Sequence, residues 1–315
     1  MILVTGPTGF IGRRVVEVLV SGGRSIRALV HTPSRASGLP SQGVEVSHGD
    51  VLQPDSVARA CEGVEAVIHL VAAIRERGDS TFQKVNYEGT ENVFAAAEAA
   101  GVDRVVVAST IGATSDPAIP YLYSRWMAEQ EAVRSPVAHS IIRFSLGFGE
   151  GDEFFNVLAA QAKIAPVVPI VGDGRSRFQP IAADDVARCL VAALGDDKML
   201  GKTTEIGGPD YFTYEQLVDA VAETLGVRIL MINVPIALVR SVAAIMEALA
   251  PSPPVTPQQL KMLKVDNVAS LDTVEDVFGF TPRPLVGNID YVKRIGLGDA
   301  LKINLGFMPS HIRDH

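Results

Sequence analysis

The chain has 315 residues, of which 47% are apolar and 20% are charged, a composition typical of a folded globular protein rather than a disordered one. Its net charge of −8, from 28 basic and 36 acidic residues, argues against a nucleic-acid-binding surface, which needs clustered Lys and Arg. The two cysteines, Cys61 and Cys189, have no metal-ligand spacing and indicate no disulfide framework. The chain begins directly with an apolar segment and no basic leader, so we expect a cytoplasmic protein.

In the first half of the chain, short β-branched runs alternate with alanine-rich helical stretches. The predicted helices cover residues 11–21, 54–61, 83–100 and 122–134. The predicted strands are, in chain order, ILVTG, SIRALVH, VEVSHGD, AVIHLVA, RVVVAST and HSIIRFS. This alternation predicts right-handed βαβ crossovers and a parallel sheet with helices on both faces.

After residue 145 the pattern changes to Gly-rich and Pro-rich segments with further helices near 184–195 and 213–226. We therefore predict a first domain over residues 1–147 and a smaller α/β lobe over residues 148–295. The C-terminal lobe is expected to be discontinuous, because TTEIGG near residues 203–207 is typical of a strand that returns to the first sheet.

The last third of the chain contains three further predicted features. An apolar helix near residues 235–249 is followed by a stiff Pro-rich linker at 251–257 and a short helix near 257–264. The tail, residues 296–315, has weak amphipathicity and no clear place in either lobe.

Three glycines, Gly6, Gly9 and Gly12, stand three residues apart between the first predicted strand and the first predicted helix. At such a junction, backbone N–H groups and a helix N-terminus bind a dinucleotide pyrophosphate, and a Cβ would block its approach. The sequence therefore predicts a Rossmann-type, doubly wound parallel sheet that binds a dinucleotide. The candidate cofactor contacts at this loop and at later strand ends are Gly6, Thr8, Gly9, Phe10, Ile11, Gly12, Asp50, Val51, Val71, Ala72, Ala73 and Phe144.

The end of the second predicted strand bears on the choice between NAD and NADP. NAD-type sites place an Asp or Glu about 20 residues after the glycines, where it holds the ribose 2′-hydroxyl. Here the matching position is His31, with Arg35 shortly after it and no acid nearby in the sequence. Because a guanidinium binds a 2′-phosphate and a carboxylate repels it, the sequence favours NADP(H) over NAD(H).

Several motifs stand in order along residues 1–290, namely TGPTGFIG, GDV, VIHLVAA, VNYEGTENVFAAAEAAGV, VVVASTIGA and GDGRSRFQPIAADDVA. In these motifs the chain resembles the short-chain dehydrogenase/reductase superfamily, in its extended or atypical branch of NAD-dependent epimerase/dehydratase-like proteins. Through QQLKMLKVDNV near residues 258–268, it is similar in particular to the subgroup of the NAD(P)H-binding accessory subunit of respiratory complex I. The resemblance implies a nicotinamide cofactor and a catalytic tyrosine.

In active members of this superfamily, a tyrosine is the general acid or base and a lysine four residues later lowers its pKa. A Ser or Thr orients the substrate oxygen. Neutral tyrosine, with a pKa near 10, is a poor base at pH 7 without a positive charge beside it. The segment AIPYLYSRWMAEQEAV contains no lysine and allows two registers, Tyr121 with Arg125 or Tyr123 with Met127.

We take the first register, because methionine has no charge and Glu129 follows Arg125 by the four residues that the family shows. Arginine supplies a positive charge, but it is planar and does not release its proton. Thr110, with Ser109 as its neighbour, takes the position of the orienting hydroxyl. The resemblance therefore implies Thr110, Tyr121 and Arg125 as catalytic residues, the last two also contacting the cofactor.

Five other positions are interpreted mainly as structural. His69 is expected to pack and hydrogen-bond at the end of the fourth strand, and Asn86 to bond backbone at the end of the sheet. Asp184 and Asp185 are typical of an N-cap and a first-turn acid on a helix. For Arg177, contact with an anionic substrate and stabilisation of its own loop are both open.

Two functions from different classes remain open. The first is an NADP(H)-dependent oxidoreductase or epimerase-like enzyme acting on a small or apolar substrate. The second is a non-catalytic NAD(P)H-binding subunit or assembly factor, peripheral to a membrane respiratory complex, with a protein partner on the 235–249 helix or the C-terminal tail. The missing lysine, and Phe144 where the family commonly has Pro, favour the second function. The glycine loop and Tyr121 favour the first.

Overall fold

The computed structural model describes residues 1–165, 167–171, 176–234, 261–262 and 265–313. The chain divides into two compact units. Unit 1 consists of residues 1–144 and 183–206, and unit 2 of residues 145–182 and 207–315. None of the helices in the described ranges is long and apolar enough to cross a bilayer.

Unit 1 is built on a seven-stranded sheet in which neighbouring strands run parallel. Its strands are β1 (Ile2–Thr5), β2 (Ile26–Val30), β3 (Val44–His48), β4 (Ala66–His69), β5 (Arg104–Thr110), β6 (Ala138–Phe144) and β11 (Thr203–Ile206). Across the sheet the order is β3–β2–β1–β4–β5–β6–β11, a doubly wound arrangement that places its ligand crevice at the carboxyl ends of the strands. The predicted α/β, Rossmann-type fold class is confirmed, and β11 is the strand that returns to the sheet.

The helices of unit 1 follow from their apolar spacing. They are α1 (Phe10–Ser21), α2 (Pro54–Cys61), α3 (Gly89–Ala100), α4 (Pro120–Arg134) and α6 (Ala183–Ala193). In α1, for example, Ile11, Val15 and Leu19 recur every four residues and are buried, as expected of a helix with one face on the sheet. Because β1 is buried along its whole length, the ends of the central strands are held rigidly by packing on both faces.

The helix predicted over residues 83–100 begins with a π-helical turn, Gln83–Glu88, before α3. Asn86 lies in this turn and is fully buried. Its Oδ1 accepts from the Ala73 N–H at 2.7 Å, and its Nδ2 donates to the Ala73 carbonyl at 3.1 Å. The prediction that Asn86 bonds backbone at the end of the sheet is confirmed. π-Helical turns of this kind occur frequently at functional sites.

Unit 2 contains short strand pairs and helices around its own apolar core. Its elements are β7 (Gly147–Phe148), α5 (Phe154–Ile164), β8 (Val167–Val171), β9 (Arg177–Phe178), β10 (Ile181–Ala182), β12 (Phe212–Thr213), α7 (Tyr214–Leu225), β13 (Leu230–Val234), α8 (Thr273–Phe278), α9 (Leu297–Asn304) and α10 (Ser310–Arg313). β7 pairs with β10, β8 with β13, and β9 with β12. Phe148, Phe155, Leu217 and Ile303 are among the side chains buried in this core.

The division differs from the sequence expectation in two places. The first unit ends at residue 144 and takes up the whole of residues 183–206, because α6 lies against α1, with Arg14 of α1 3.7 Å from Asp184 of α6. Asp184 and Asp185 both stand in the first turn of α6. The sequence placed α6 in the second lobe, because residues 145–182, which precede this helix, already lie outside the first sheet.

The tail also differs from the expectation. Residues 296–315 belong to unit 2, where Ala300, Ile303 and Ile312 are buried in the core. The weak amphipathicity arose because α9 has apolar residues on its outer face as well. The helices predicted near residues 235–249 and 257–264 and the linker at 251–257 lie outside the described residues, apart from 261–262.

Candidate cofactor and catalytic site

The glycine loop between β1 and α1 has no room for a side chain at two of its three glycines, Gly6 and Gly12. A Cβ on Gly12 would lie 2.0 Å from the Gly6 carbonyl oxygen. Gly6 has a φ of +71°, and a Cβ on it would lie 3.3 Å from the backbone of Leu70 and Val71. By contrast, a Cβ on Gly9 would meet only the Gly6 oxygen, at 3.4 Å. The fold therefore requires Gly12 and Gly6, while the space beside Gly9 is left open for a ligand.

The first turn of α1 is also open to a ligand. Its N-cap is Gly9, no side chain caps it, and its first turn contains no acid. The leading N–H groups and the positive end of the helix dipole therefore face outward with no acceptor from a side chain. Phe10 begins the helix, Ile11 is buried beneath it, and the Thr8 carbonyl lies at the loop. This cradle, which a Cβ would fill, fits a dinucleotide pyrophosphate.

At the ends of β2 and β3, His31 Nε2 lies 3.3 Å from Asp50 Oδ2. The Leu52 N–H donates to the other Asp50 oxygen at 3.0 Å. The expectation that no acid lies near His31 held only along the sequence, because the pairing of β2 with β3 brings Asp50 beside it. Arg35 lies just beyond, in a 3₁₀ helix (Pro33–Gly38).

At the end of β4, Ala72 is exposed and Ala73 is held by Asn86. The Asn86 amide also donates to Ser124 Oγ at 2.9 Å, and Ser124 Oγ donates to the Tyr121 carbonyl at 2.7 Å. This chain of hydrogen bonds fixes the first turn of α4 to the strand end. Ser124 was not predicted as a site residue, although its place directly before Arg125 was a usable signal.

A second chain of hydrogen bonds links β1 to α3 through His69. His69 Nδ1 lies 2.7 Å from Thr5 Oγ1, and His69 Nε2 lies 3.0 Å from Thr90 Oγ1. Burial, together with the charge of Arg125, lowers the pKa of His69 to about 3, so the ring is neutral at physiological pH. The structural interpretation of His69 is confirmed, and Thr5, directly before Gly6, anchors the start of the glycine loop.

Arg125 is the central charged group of the site. Only 3% of its surface is exposed. Its Nη2 donates to the Ala108 carbonyl of β5, while Nη1 is buried and has no hydrogen-bond partner among the described residues. Its charge also depresses the pKa of His69 at the end of β4, which places the guanidinium close to the ends of β4 and β5. An unpaired donor on a buried cation costs on the order of several kcal/mol.

Tyr121 lies one turn before Arg125 on α4. Its ring packs edge-on against Phe82, with 5.7 Å between the ring centroids. Burial raises the pKa of Tyr121 above its ordinary value, and Arg125 lowers it by less. The arginine therefore does not make Tyr121 a ready base, which a lysine was expected to do. At neutral pH Tyr121 is therefore a neutral phenol, a form that can donate a proton but is a poor base.

The two hydroxyl candidates on β5, Ser109 and Thr110, have different surroundings. Ser109 Oγ donates to the buried carboxylate of Glu129, which also accepts from Arg143 Nε and Nη2 at 2.8 and 2.6 Å. Glu129 is the main reason that the pKa of Arg143 is raised. Within the described part of the chain, the Thr110 hydroxyl makes one long hydrogen bond, to the Ile111 carbonyl at 3.4 Å. Ser109 is therefore committed to the ion pair, and Thr110 is the hydroxyl left at the end of β5.

The remaining cofactor-contact candidates, Phe144, Val71 and Val51, lie at the carboxyl ends of the strands or just beyond them. Phe144 ends β6 and is paired in register with Thr110 of β5. Val71 lies two residues after the end of β4, and its backbone N would lie 3.3 Å from a Cβ on Gly6. Val51 is 5% exposed and packs in the core, so only its backbone is available to a cofactor.

In unit 2, Arg177 is paired with Asp266. Its Nη2 and Nε lie 2.8 and 3.0 Å from Asp266 Oδ2, and its guanidinium stacks 5.6 Å from the Tyr211 ring. The Arg177 backbone N–H donates to Asp266 Oδ1 at 2.9 Å, and this hydrogen bond, together with the guanidinium, lowers the pKa of Asp266. This arrangement supports the loop-stabilising interpretation of Arg177.

The family of the chain is shown by its match to a family model. Residues 2–207 match the NAD dependent epimerase/dehydratase family, and the chain belongs to this NAD(P)-binding family. The resemblance to the extended branch of the short-chain dehydrogenase/reductase superfamily is confirmed.

Among its relatives, the chain is 26% identical to NADH dehydrogenase [ubiquinone] 1 alpha subcomplex subunit 9, mitochondrial, of Arabidopsis thaliana, over 86% of this chain and 69% of that protein. It is 28% identical to ceramide reductase of Caulobacter vibrioides, over 79% of this chain and 78% of that protein. Its fold is similar to that of an NADPH-dependent quinone oxidoreductase from Escherichia coli in complex with NADPH, with a TM-score of 0.75, 21% identity and coverage of 93% and 99% of the two chains.

Proposed function

We propose that this protein is an NADP(H)-dependent oxidoreductase that reduces a carbonyl group, with Tyr121 as the proton donor, Thr110 orienting the substrate oxygen and Arg125 holding the cofactor. The single observation that carries the proposal is the buried guanidinium of Arg125, with Nη1 lacking a partner among the described residues. A ribose hydroxyl of the nicotinamide half would supply the missing acceptor. The open cradle at Gly9 supports the same cofactor at its pyrophosphate.

The raised pKa of Tyr121 supports reduction rather than epimerisation. An epimerase begins by removing a proton from a hydroxyl, and a neutral phenol is poorly suited to that step. In carbonyl reduction the bound cofactor supplies a hydride to the carbonyl carbon. The Tyr121 O–H then gives its proton to the carbonyl oxygen, and the positive charge of Arg125 stabilises the phenolate that remains. Thr110 donates a hydrogen bond to the same oxygen and fixes its position.

The preference for NADP(H) rests on Arg35 and its surroundings. Arg35 is carried by the 3₁₀ helix directly after β2, at the edge where an adenosine ribose is held in folds of this type. The carboxylate at this edge, Asp50, is engaged by His31 and by the Leu52 N–H. A guanidinium that faces a 2′-phosphate favours NADP(H), because the bond is charge-assisted and bidentate.

The proposal is tested by titrating the purified chain with NADPH and with NADH, as wild type and as Arg125→Met and Arg125→Lys variants. We expect Arg125→Met to weaken NADPH binding by about tenfold or more, as the loss of a hydrogen bond to a charged group implies, and Arg125→Lys to keep most of the affinity. Arg134→Met is the matched control, because Arg134 lies on the same helix with 65% of its side chain exposed, paired to Glu131. Unchanged binding in both Arg125 variants would remove the basis of the proposal.

A second function, a non-catalytic NADP(H)-binding subunit, is favoured by one feature of unit 2. Leu297, Leu301 and Leu305 stand four residues apart along α9 and its end, and they are 72%, 54% and 58% exposed. These three leucines form an apolar stripe, and Phe307, two residues after Leu305, is also exposed, at 54%. Exposed apolar residues that recur on one face of a helix form a candidate interaction surface.

Turnover separates the two functions. An enzyme should oxidise NADPH in the presence of a ketone or quinone, and the Tyr121→Phe variant should lose that rate. The non-catalytic function is favoured if wild type binds NADPH but oxidises it no faster than Tyr121→Phe does with every carbonyl compound and quinone tried. Its partner surface is then tested by Leu297→Ser with Leu301→Ser, against Val286→Ser, a residue of unit 2 that is 60% exposed but outside the stripe.

A further inference from the structure

Two adjacent arginines, Arg13 and Arg14, follow the last glycine of the loop and have separate surroundings. Arg14 Nη1 donates to the Phe10 carbonyl at 3.1 Å, its guanidinium lies 5.2 Å from the centre of the Phe10 ring, and Nε lies 3.7 Å from Asp184. The charge of Arg14 therefore serves the contact between α1 and α6.

The side chain of Arg13 takes a different direction. Its N–H donates to the Gly9 carbonyl within α1, but its side chain runs back toward the helix N-terminus, as helical side chains do. Nε donates to the Thr8 carbonyl at 3.3 Å. At the far end, Nη2 and Cζ lie 3.6 and 3.7 Å from the position of a Cβ on Gly38. The Arg13 side chain therefore spans from the glycine loop to the 3₁₀ helix that carries Arg35.

This span coincides with the edge at which β1 and β2 end side by side, with Thr5 opposite Leu29. In a doubly wound fold, the adenosine ribose lies at the end of β2, next to the glycine loop. The hydrogen bond from Nε fixes the plane of the Arg13 guanidinium. A fixed planar fork binds a phosphate through two parallel hydrogen bonds, which a flexible ammonium does not.

We propose that Arg13 is a specificity-determining residue that binds the 2′-phosphate of NADP(H) from the α1 side, opposite Arg35. The inference rests on the proposed NADP(H) function and deepens it by assigning the second cation of the phosphate site. An alternative role for Arg13 is to tie the Thr8 loop to the 3₁₀ helix without touching the ligand. The two roles differ in their effect on selectivity, since a tie supports NADPH and NADH equally.

The experiment compares Arg13→Met with Arg14→Met in titrations with NADPH, NADH, 2′,5′-ADP and 5′-ADP. We expect Arg13→Met to weaken NADPH and 2′,5′-ADP by about 10- to 100-fold, the range for a lost hydrogen bond to a charged group, with NADH and 5′-ADP changed by less than about twofold. Arg14→Met should leave the ratio of NADPH to NADH affinity unchanged. Arg13→Lys should fall between wild type and Arg13→Met, because it keeps the charge but not the fork.

An equal loss of NADPH and NADH affinity in Arg13→Met would overturn the assignment of Arg13 and leave the proposed function standing. A ratio of NADPH to NADH affinity that is the same in Arg13→Met and in wild type would have the same meaning. If wild-type protein binds neither dinucleotide, the proposed function fails, and the role of Arg13 fails with it. Unfolding midpoints of the Arg13 and Arg14 variants, measured alongside, show whether a loss of binding comes from a loss of folded protein.

Discussion

The two ends of the candidate site are built by opposite means. At the glycine loop, the site depends on residues without side chains. A Cβ on Gly12 would lie 2.0 Å from the Gly6 oxygen, and the lack of a side chain at Gly9 leaves the space beside it open. At α4 the site consists of a charge forced into the interior, because Arg125 is 3% exposed and its Nη1 has no partner among the described residues. The glycine loop offers backbone N–H groups, which would bind the pyrophosphate of NAD(H) and NADP(H) alike. The end at α4 depends on one side chain in one position.

This contrast gives opposite expectations for substitutions. At the loop, a larger side chain should weaken cofactor binding, whereas at α4 the loss of a side-chain group should weaken binding or activity. The largest effect is expected for Gly12→Ala, because its Cβ meets a backbone oxygen that cannot move aside. NADPH binding should become undetectable in a titration, and the unfolding midpoint should fall as well.

Gly9→Ala sharpens the same prediction. Its Cβ would meet only the Gly6 oxygen, at 3.4 Å, and its φ of −82° suits alanine. The free energy of unfolding should therefore change by less than about 1 kcal/mol, while NADPH affinity falls at least about tenfold because the methyl group enters the phosphate space. Equal stability losses in Gly9→Ala and Gly12→Ala would contradict the distinction between a structural and a ligand-facing glycine.

At α4, the largest effect is expected on turnover. Tyr121→Phe removes the proton donor, which typically contributes about 10²- to 10⁴-fold to the rate, and should leave NADPH affinity nearly unchanged. The steady-state rate with a carbonyl substrate is the measurement. Tyr123→Phe is the matched control, because the Tyr123 ring stacks on Trp126 on the same helix. A rate loss in Tyr123→Phe instead would favour the other register.

The ion pair behind this region should affect stability rather than chemistry. Glu129→Ala would leave Ser109 without its buried acceptor and Arg143 with Glu205 as its remaining partner, and breaking such a pair costs up to about 3 kcal/mol. Urea unfolding measures the loss, with Glu98→Ala on the exposed face of α3 as the control. A loss no larger than that of the control would mean that Glu129 is not held as the structure shows.

The smallest change is expected with pH. The active form of Tyr121 is the protonated one and burial raises its pKa above the ordinary value of about 10, so the reduction rate should stay flat from pH 6 to 9 and fall only above the raised pKa. His69, with a pKa of about 3, adds no titration in this window. A rate that climbs with pH near neutrality would indicate that the phenolate is the active form and that Tyr121 acts as a base.

The two ends also differ in how far the sequence could predict them. The alternation of strands and helices and the spacing of Gly6, Gly9 and Gly12 follow from local rules, so the fold class and the glycine loop could be derived from the sequence. The partner of His31 could not, because Asp50 reaches it only through the pairing of two strands. The direction of the Tyr121 pKa shift could not either, since it depends on how burial weighs against the charge of Arg125.

The position of Arg125 has a consequence for the supply of protons. In the carbonyl reduction proposed here, each turnover removes one proton from Tyr121, and a guanidinium held on the Ala108 carbonyl does not replace it, because arginine keeps its protons at any physiological pH. The neighbouring His69 is neutral and engaged on both ring nitrogens. Neither Arg125 nor His69 therefore returns a proton to Tyr121, so the proton consumed in the proposed reduction has to come from outside this pair of side chains.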